Sequence, residues 1–395
     1  VLRCFVAVFA GIVKPGIGRS ARSRPGLHYS AQSAAPPGRR FESAASPPVD
    51  PGVRRVSVSN PSVGRVVTFG EAMIRLTPPR NERLERTISL DVTMGGAELN
   101  VAVTLACLGV PATWVSVLPD TGLGRAIARQ ARAHGVDTSR IHWVDESAGR
   151  TGLYFLEEAA DPRPSSVLYD RANSAMARMH AGVFNWEEIL HGASAFLVSG
   201  ITPALGEGTR AETFASVKVA RALGIPVFFD PNFRSKLWSE ATARACYQEL
   251  APYIDVLFAS KGALETFYGI VAEDNEDAMR KGLAALDLKA ISFTRKKGKK
   301  SRSMKLCSYG LLQGGDIVDA GWREIEVVDR VGGGDSFAGG FIAGWVENQR
   351  DILRAVQLGA AASALKHTMP GDFLCATRAE IEAAILSDEG GVLQR

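Results

Sequence analysis

Between residues 193 and 293 the chain repeats one rhythm: a short apolar run, a helical stretch, then another apolar run. The apolar runs are 195–198, 226–230, 256–259 and 290–293, and the helical stretches lie at 212–222, 246–250 and 278–286. A strand that is apolar throughout must be covered on both faces. A helix between two such strands carries the chain back far enough for them to run parallel. The pattern therefore demands an α/β architecture, a mainly parallel sheet with helices on both sides. Residues 66–70 and 113–118 extend it as buried strands. Helices are expected over 98–108 and 122–134, stopped at Gly109 and Gly135. Three more are expected over 335–345, 352–365 and 378–386.

A second class of strand is shorter and more polar. Residues 71–77, 88–92, 152–157 and 165–169 show partial alternation, which suits a half-exposed sheet. Residues 141–144 read the same way. The lysine-rich run 296–305 holds five lysines and Arg302 and reads as a solvated hairpin or loop.

The first sixty residues differ from the rest. They hold nine basic residues and only two acidic ones, with Pro-rich breaks at Pro36-Pro and Pro47-Pro. Residues 1–62 are expected to form no fold of their own. Three origins compete: an Arg- and Ser-rich targeting segment, a secretory signal around 5–12, or an extension outside the native product. Elsewhere no run reaches about 18 uninterrupted apolar residues, so no membrane span is expected. The net charge of +4 sets 46 basic against 42 acidic residues, which is no electrostatic footprint for nucleic acid. The five cysteines form no CxxC pair and no zinc spacing, which fits a reducing, cytoplasmic setting without structural disulfides.

The chemistry gathers late in the chain. Ile325-Glu-Val-Val-Asp-Arg-Val-Gly-Gly-Gly-Asp-Ser-Phe-Ala-Gly-Gly runs from a strand through three glycines into a helix. The amides at a helix start have no intrahelical partner and sit at the positive end of its dipole, so Gly332, Gly333 and Gly334 make an anion site. A carboxylate repels phosphate, so Asp335 is a poor ligand there but a sensible base for an attacking hydroxyl. Read alone, Asp335 or Ser336 could equally be a helix cap. Neither a Walker A loop nor a GxGxxG fingerprint occurs.

Two pieces together resemble a known family. The run ending in Gly332-Gly-Gly-Asp335 is similar to the C-terminal signature of the ribokinase-like (PfkB) carbohydrate kinases, and Gly95-Gly-Ala-Glu-Leu-Asn-Val-Ala to their N-terminal signature. Within that family, Gly70-Glu71, Leu168-Tyr-Asp-Arg-Ala-Asn-Ser-Ala, Asp230-Pro-Asn-Phe-Arg-Ser-Lys-Leu-Trp, Val328-Asp-Arg and Lys366-His-Thr-Met-Pro-Gly-Asp look most like the kinases of 2-keto-3-deoxygluconate. The resemblance implies a three-layer α/β/α sandwich over 63–388, with a small β-sheet lid from strands around 71–92 and 150–171, and a tail at 389–395. It also implies ATP and Mg²⁺ as cosubstrate and cofactor, and self-association through the lid.

It implies roles as well. Asp335 is the general base, and Gly332, Gly333 and Gly334 receive the transferring phosphoryl group. Gly95, Gly96, Asn100, Tyr154, Tyr169, Arg171 and Arg234 line the sugar pocket. Arg234 follows a strand end, where ligands gather in parallel sheets, and a guanidinium there can hold a carboxylate in bidentate fashion. Asp230, Asn232, Thr294 and Gly359 belong to the nucleotide and phosphate side, with His367 nearby. No residue is assigned as a direct metal ligand. Trp238 and Trp322 are read as core or lid packing.

Two places depart from the pattern. Ser260 and Ala263 stand where the family has an Asn-x-x-Glu piece that organises metal and phosphates, and Glu265 comes two residues late. After Thr294 the lysine run replaces the usual glycine-bearing loop. The alternatives are thus a kinase of a neutral sugar such as fructose or ribose, or a sugar-acid binder with impaired catalysis.

Overall fold

The structure, a computed structural model, describes residues 64–298, 302–349 and 351–386. The expected extension (1–62), the tail (389–395) and part of the lysine run lie outside the described residues. The first half contains β1 Val66–Phe69, β2 Met73–Thr77, β3 Asp91–Gly95, α1 Ala97–Cys107, β4 Ala112–Pro119, α2 Gly122–Ala133, β5 Ile141–Val144, β6 Leu153–Glu157 and β7 Ser166–Asp170. There follow α3 Trp186–Leu190, β8 Ala195–Ser199, α4 Glu207–Ala222, β9 Val227–Asp230, α5 Glu240–Leu250, β10 Val256–Ala259, α6 Lys261–Ala263 and α7 Asn275–Ala285. The chain closes with β11 Ala290–Lys297, β12 Ser303–Leu312, β13 Ile317–Asp319, β14 Arg323–Glu326, α8 Gly333–Glu347, α9 Ile352–His367 and α10 Arg378–Leu386.

The main sheet runs in the order β13-β12-β11-β10-β9-β8-β1-β4-β5, with β14 against β12. From β11 to β5 every neighbouring pair is parallel. Their apolar sequences are explained by burial on both faces: β1 and β8 are buried at every position. One core layer centres on Phe228, Phe258, Phe341 and Trp345, and the other on Phe69, Phe196, Phe229 and Tyr247. Burying a side chain of that size contributes roughly 2–3 kcal/mol. Thr121, Ser239 and Asp274 cap α2, α5 and α7 by accepting amide hydrogens, about 1 kcal/mol each.

The small sheet is β3-β2-β6-β7, as the alternating strands implied. One boundary needs correcting. The strand expected over 88–92 lies at Asp91–Gly95 instead, because its register against β2 pairs Met73 with Gly95, and Ile88 is left 85% exposed outside it. The strand at 141–144 joins the edge of the main sheet, beside β4. Trp322 also departs from the expected packing role: it is 40% exposed, with the Lys297 ammonium 4.3 Å from its ring centroid. Among the described residues no helix is long and apolar enough to cross a membrane.

Candidate active site

From β1 the chain moves out to β4 and β5, then returns to β8 and continues the other way through β9, β10 and β11. The order reverses between β1 and β8, and an open parallel sheet forms its crevice beyond the strand ends at such a point. α1 is pinned there by Glu98, 1% exposed, whose carboxylate accepts from Ser199 N (3.0 Å), Ser199 Oγ (2.6 Å) and Thr202 Oγ1 (2.9 Å). That pin presents Asn100, two residues on, to the start of α8. Asn100 Nδ2 donates to Asp335 Oδ2 at 2.7 Å, and its Oδ1 accepts from Gly96 N at 3.3 Å. That bond links the two sequence signatures.

The glycine run has steric reasons. Gly332 has φ +82°, and a Cβ there would lie 2.0 Å from the Asp372 carbonyl oxygen. A Cβ on Gly333 would strike the His367 ring at 2.1 Å. Gly334 is exposed and has open space before it. The run is packed hard from behind and free in front, where an anion could approach the first amides of α8.

Two carboxylates face this opening. Asp335 is pushed up to about 7, mainly by desolvation; the Asn100 hydrogen bond opposes the rise and Asp230 adds to it. Asp230, at the end of β9, is pushed up to about 6, again chiefly by desolvation, against the amide of Asn232 and the charge of Arg234. Both are poised to exchange protons near neutrality.

Two hollows meet at the start of α8. The smaller, about 80 Å³, is lined by Gly95, Gly96, Asn100, Tyr154, Tyr169, Arg171, Arg234, Asp335 and Asp372. The larger, about 290 Å³, is lined by Asp230, Asn232, Thr294, Lys296, Gly334 and Ser363, among others. A hydroxyl in the first and a phosphate chain in the second would converge on Asp335 and Gly334.

Residues 63–378 match the profile described as pfkB family carbohydrate kinase. The chain belongs to the PfkB family of carbohydrate kinases. It is 37% identical over 330 residues to the 2-dehydro-3-deoxygalactonokinase of Haloferax volcanii, covering 83% of this chain and 98% of that one. With the 2-dehydro-3-deoxygluconokinase of Bacillus subtilis it shares 32% over 334 residues, 83% and 97% of the two chains. The crystal structure of 2-dehydro-3-deoxygluconokinase from Thermotoga maritima superposes with a TM-score of 0.78 at 39% identity, over 82% of this chain and 99% of that one. This PfkB-family chain is therefore an ATP-dependent carbohydrate kinase, related to the kinases of 2-keto-3-deoxy sugar acids, and it has the ribokinase-like fold. The family generally uses ATP and Mg²⁺.

Within the PfkB site, the two arginines expected to act together differ. Arg171 is buried and ion-paired with Glu71, which also accepts from Ser174 Oγ. Its guanidinium lies 5.7 Å from the Tyr169 ring centroid, and among the described residues Nε has no hydrogen-bond partner. Arg234 is half-buried, and its Nη1 donates only to the carbonyls of Asn232 and Phe233, each at 3.3 Å. Among the described residues no carboxylate forms an ion pair with it. Tyr154 lines the smaller hollow, but its hydroxyl already donates to Asp372 at 2.6 Å.

On the other side, Gly359 lies in the contact between α8 and α9, where a Cβ would meet Phe337 at 2.8 Å. The larger hollow is lined by Ser363, one turn later, and not by Gly359. His367 is fully buried behind Gly333, and desolvation pushes it down to about 4, so its ring is neutral. Ser260 caps α6, its Oγ accepting from Ala263 N at 3.2 Å, and both residues line the larger hollow. Glu265 is exposed and does not line it.

Thr294 and Lys296 lie on one face of β11 and both line that hollow, whereas Lys297 points to Trp322 on the other face. Among the described residues no group of three or more acidic, His or Cys side chains could hold a metal alone. Asp230 fits an ion that keeps its waters and takes most ligands from phosphate oxygens: among the described residues its carboxylate accepts only from Asn232 N, which leaves lone pairs free toward the hollow.

The sequence reading assigned no role to Glu71, Glu98, Arg75, Asp329, Lys366 or Asp372. All six are charged and at most 4% exposed. A charged residue inside an otherwise apolar or turn-rich motif is the one signal that could have marked them.

Proposed function

We propose that this PfkB-family kinase transfers the γ-phosphoryl group of ATP to the C6 hydroxyl of 2-keto-3-deoxygluconate, giving 2-keto-3-deoxy-6-phosphogluconate and ADP. Asp335 takes the hydroxyl proton as the oxygen attacks phosphorus. The amides of Gly332, Gly333 and Gly334 receive the charge on the transferring group. Asn100 holds Asp335 in the orientation that faces the sugar. Arg234 meets the substrate carboxylate, with the free Nε–H of Arg171 and the face of Tyr169 beside it. Mg²⁺, when bound, would neutralise phosphate charge next to Asp230 through water.

The observation that carries this reading is Arg234, a half-buried guanidinium that forms no ion pair among the described residues, in the hollow where Asp335 also stands. A neutral sugar would leave that charge unpaired at a desolvation cost, so a sugar acid is preferred over fructose or ribose. The test is ADP release from purified protein with ATP, Mg²⁺ and a panel of ketodeoxygluconate, fructose, ribose and gluconate. Turnover of fructose without ketodeoxygluconate would sink it.

A second reading takes 2-keto-3-deoxygalactonate as the preferred substrate. It is favoured by the 37% identity to the Haloferax volcanii kinase of that name. The carboxylate contact serves both sugars, and comparing kcat/KM for the two decides between them. The outer face of the lid, with Val92 and Leu168 40% and 56% exposed, supports self-association through the lid, which sedimentation of the full chain would test.

A further inference from the structure

Arg75 lies on β2 in the lid and is 2% exposed. Its Nη1 sits 2.7 Å from Asp329 Oδ2 and 3.0 Å from Asp372 Oδ1, and its Nη2 sits 3.1 Å from Glu158 Oε1. Both aspartates border the glycine run. Asp329 Oδ1 accepts from Val331 N and Oδ2 from Gly371 N, each at 2.9 Å. The Asp372 carbonyl packs directly behind Gly332. Fully buried Lys366 completes the group: its Nζ donates to Met369 O at 3.1 Å, and its Cε would lie 3.2 Å from a Cβ on Gly332. Two cations thus face two buried carboxylates, with Glu158 at the rim and the Tyr154 hydroxyl on Asp372.

A buried charge group of this kind is a poor way to stabilise a fold, since apolar side chains of equal volume often do as well or better. What it supplies is geometry, because a guanidinium holds carboxylates only in fixed directions.

We propose that Arg75 is a positioning residue that ties the lid to the phosphoryl site: it holds Asp329 and Asp372, and these fix the backbone before and behind Gly332. The glycine amides then have their working direction only when β2 is seated. This rests on the kinase reading for its effect on rate, but not for its effect on the loop. Arg75→Lys keeps the charge and loses the fork, so the run should loosen without the fold failing.

The test uses the full chain as wild type, Arg75→Lys, Arg75→Met and Glu158→Gln. Thermal melting establishes which variants fold, hydrogen exchange reads the amides of 331–336, and steady-state kinetics reads kcat and both KM values. Arg75→Lys is expected to fold, to exchange faster over 331–336, and to lose kcat by about tenfold to a hundredfold with each KM within about threefold. Glu158→Gln, which frees only the rim of the fork, should match wild type in exchange and kcat. If Arg75→Met does not fold, Arg75→Lys decides. Unchanged exchange in folded Arg75→Lys, a loss confined to KM, or an equal loss in Glu158→Gln would overturn the proposal. Faster exchange in Arg75→Lys, with a wild type that phosphorylates no sugar, would support the coupling and sink the kinase reading instead.

Discussion

Asn100→Ala isolates the bond that joins the two signatures. In the native site Asn100 Nδ2 donates to Asp335 Oδ2 at 2.7 Å, and burial pushes Asp335 up to about 7. A hydrogen bond to a charged acceptor contributes about 1.5–3 kcal/mol, which is about 1–2 pKa units of preference for the ionised form. Its loss should carry Asp335 to about 8–9. At about pH 7.5 the ionised fraction would fall from about three-quarters to between about a quarter and about a thirtieth, a loss of about 3- to 25-fold in kcat/KM. By about pH 9.5 most of that loss should be recovered. The assay is ADP release as a function of pH at low sugar concentration, where kcat/KM reports the free enzyme. Asn100 also borders the sugar hollow, so the plateau can fall in addition; the position of the acid limb is the test. A uniform loss at every pH, with the limb unmoved, would refute the claim that Asn100 sets the proton affinity of Asp335.

Arg234→Met should raise KM for the sugar acid by about a hundredfold, the loss of one charged contact, and leave KM for ATP near wild type. An unchanged sugar KM would remove Arg234 from the carboxylate site. Asp335→Asn should stabilise the ligand-free protein at alkaline pH. The native carboxyl holds its proton between about pH 4 and about pH 7 while the unfolded chain has released it, so native stability falls with pH through that window, by about 1–4 kcal/mol. Melting curves should show the gain of the asparagine form largest above about pH 7 and absent near about pH 4; equal melting at both would contradict the raised pKa.

The apolar strands of the main sheet were legible in the sequence because burial on both faces leaves no polar position to obscure them. The glycine run was legible because three glycines before a helix have few other uses. Ile88–Val92 was misplaced because a short half-exposed strand takes its register from its partner, here Met73 against Gly95. The pairing of Arg171 with Glu71 spans one hundred residues of sequence and has no periodic signature. Arg75 was hidden for the same reason: nothing in Met73-Ile-Arg-Leu-Thr announces that its partners are Asp329 and Asp372. Gly359 shows the opposite hazard, since a glycine inside a helix can serve close packing against Phe337 as well as a ligand.

The central claim is that Asp335 works as the base in phosphorylation of a 2-keto-3-deoxy sugar acid. The most direct measurement follows ATP, Mg²⁺ and 2-keto-3-deoxygluconate with wild-type protein and with Asp335→Asn, with the product identified by phosphorus NMR. One ADP is expected per C6 phosphate ester, with a loss of about 10²–10⁴-fold in kcat for Asp335→Asn and sugar binding retained. Equal turnover by the asparagine form would contradict it, as would a wild type that binds the sugar acid and phosphorylates nothing.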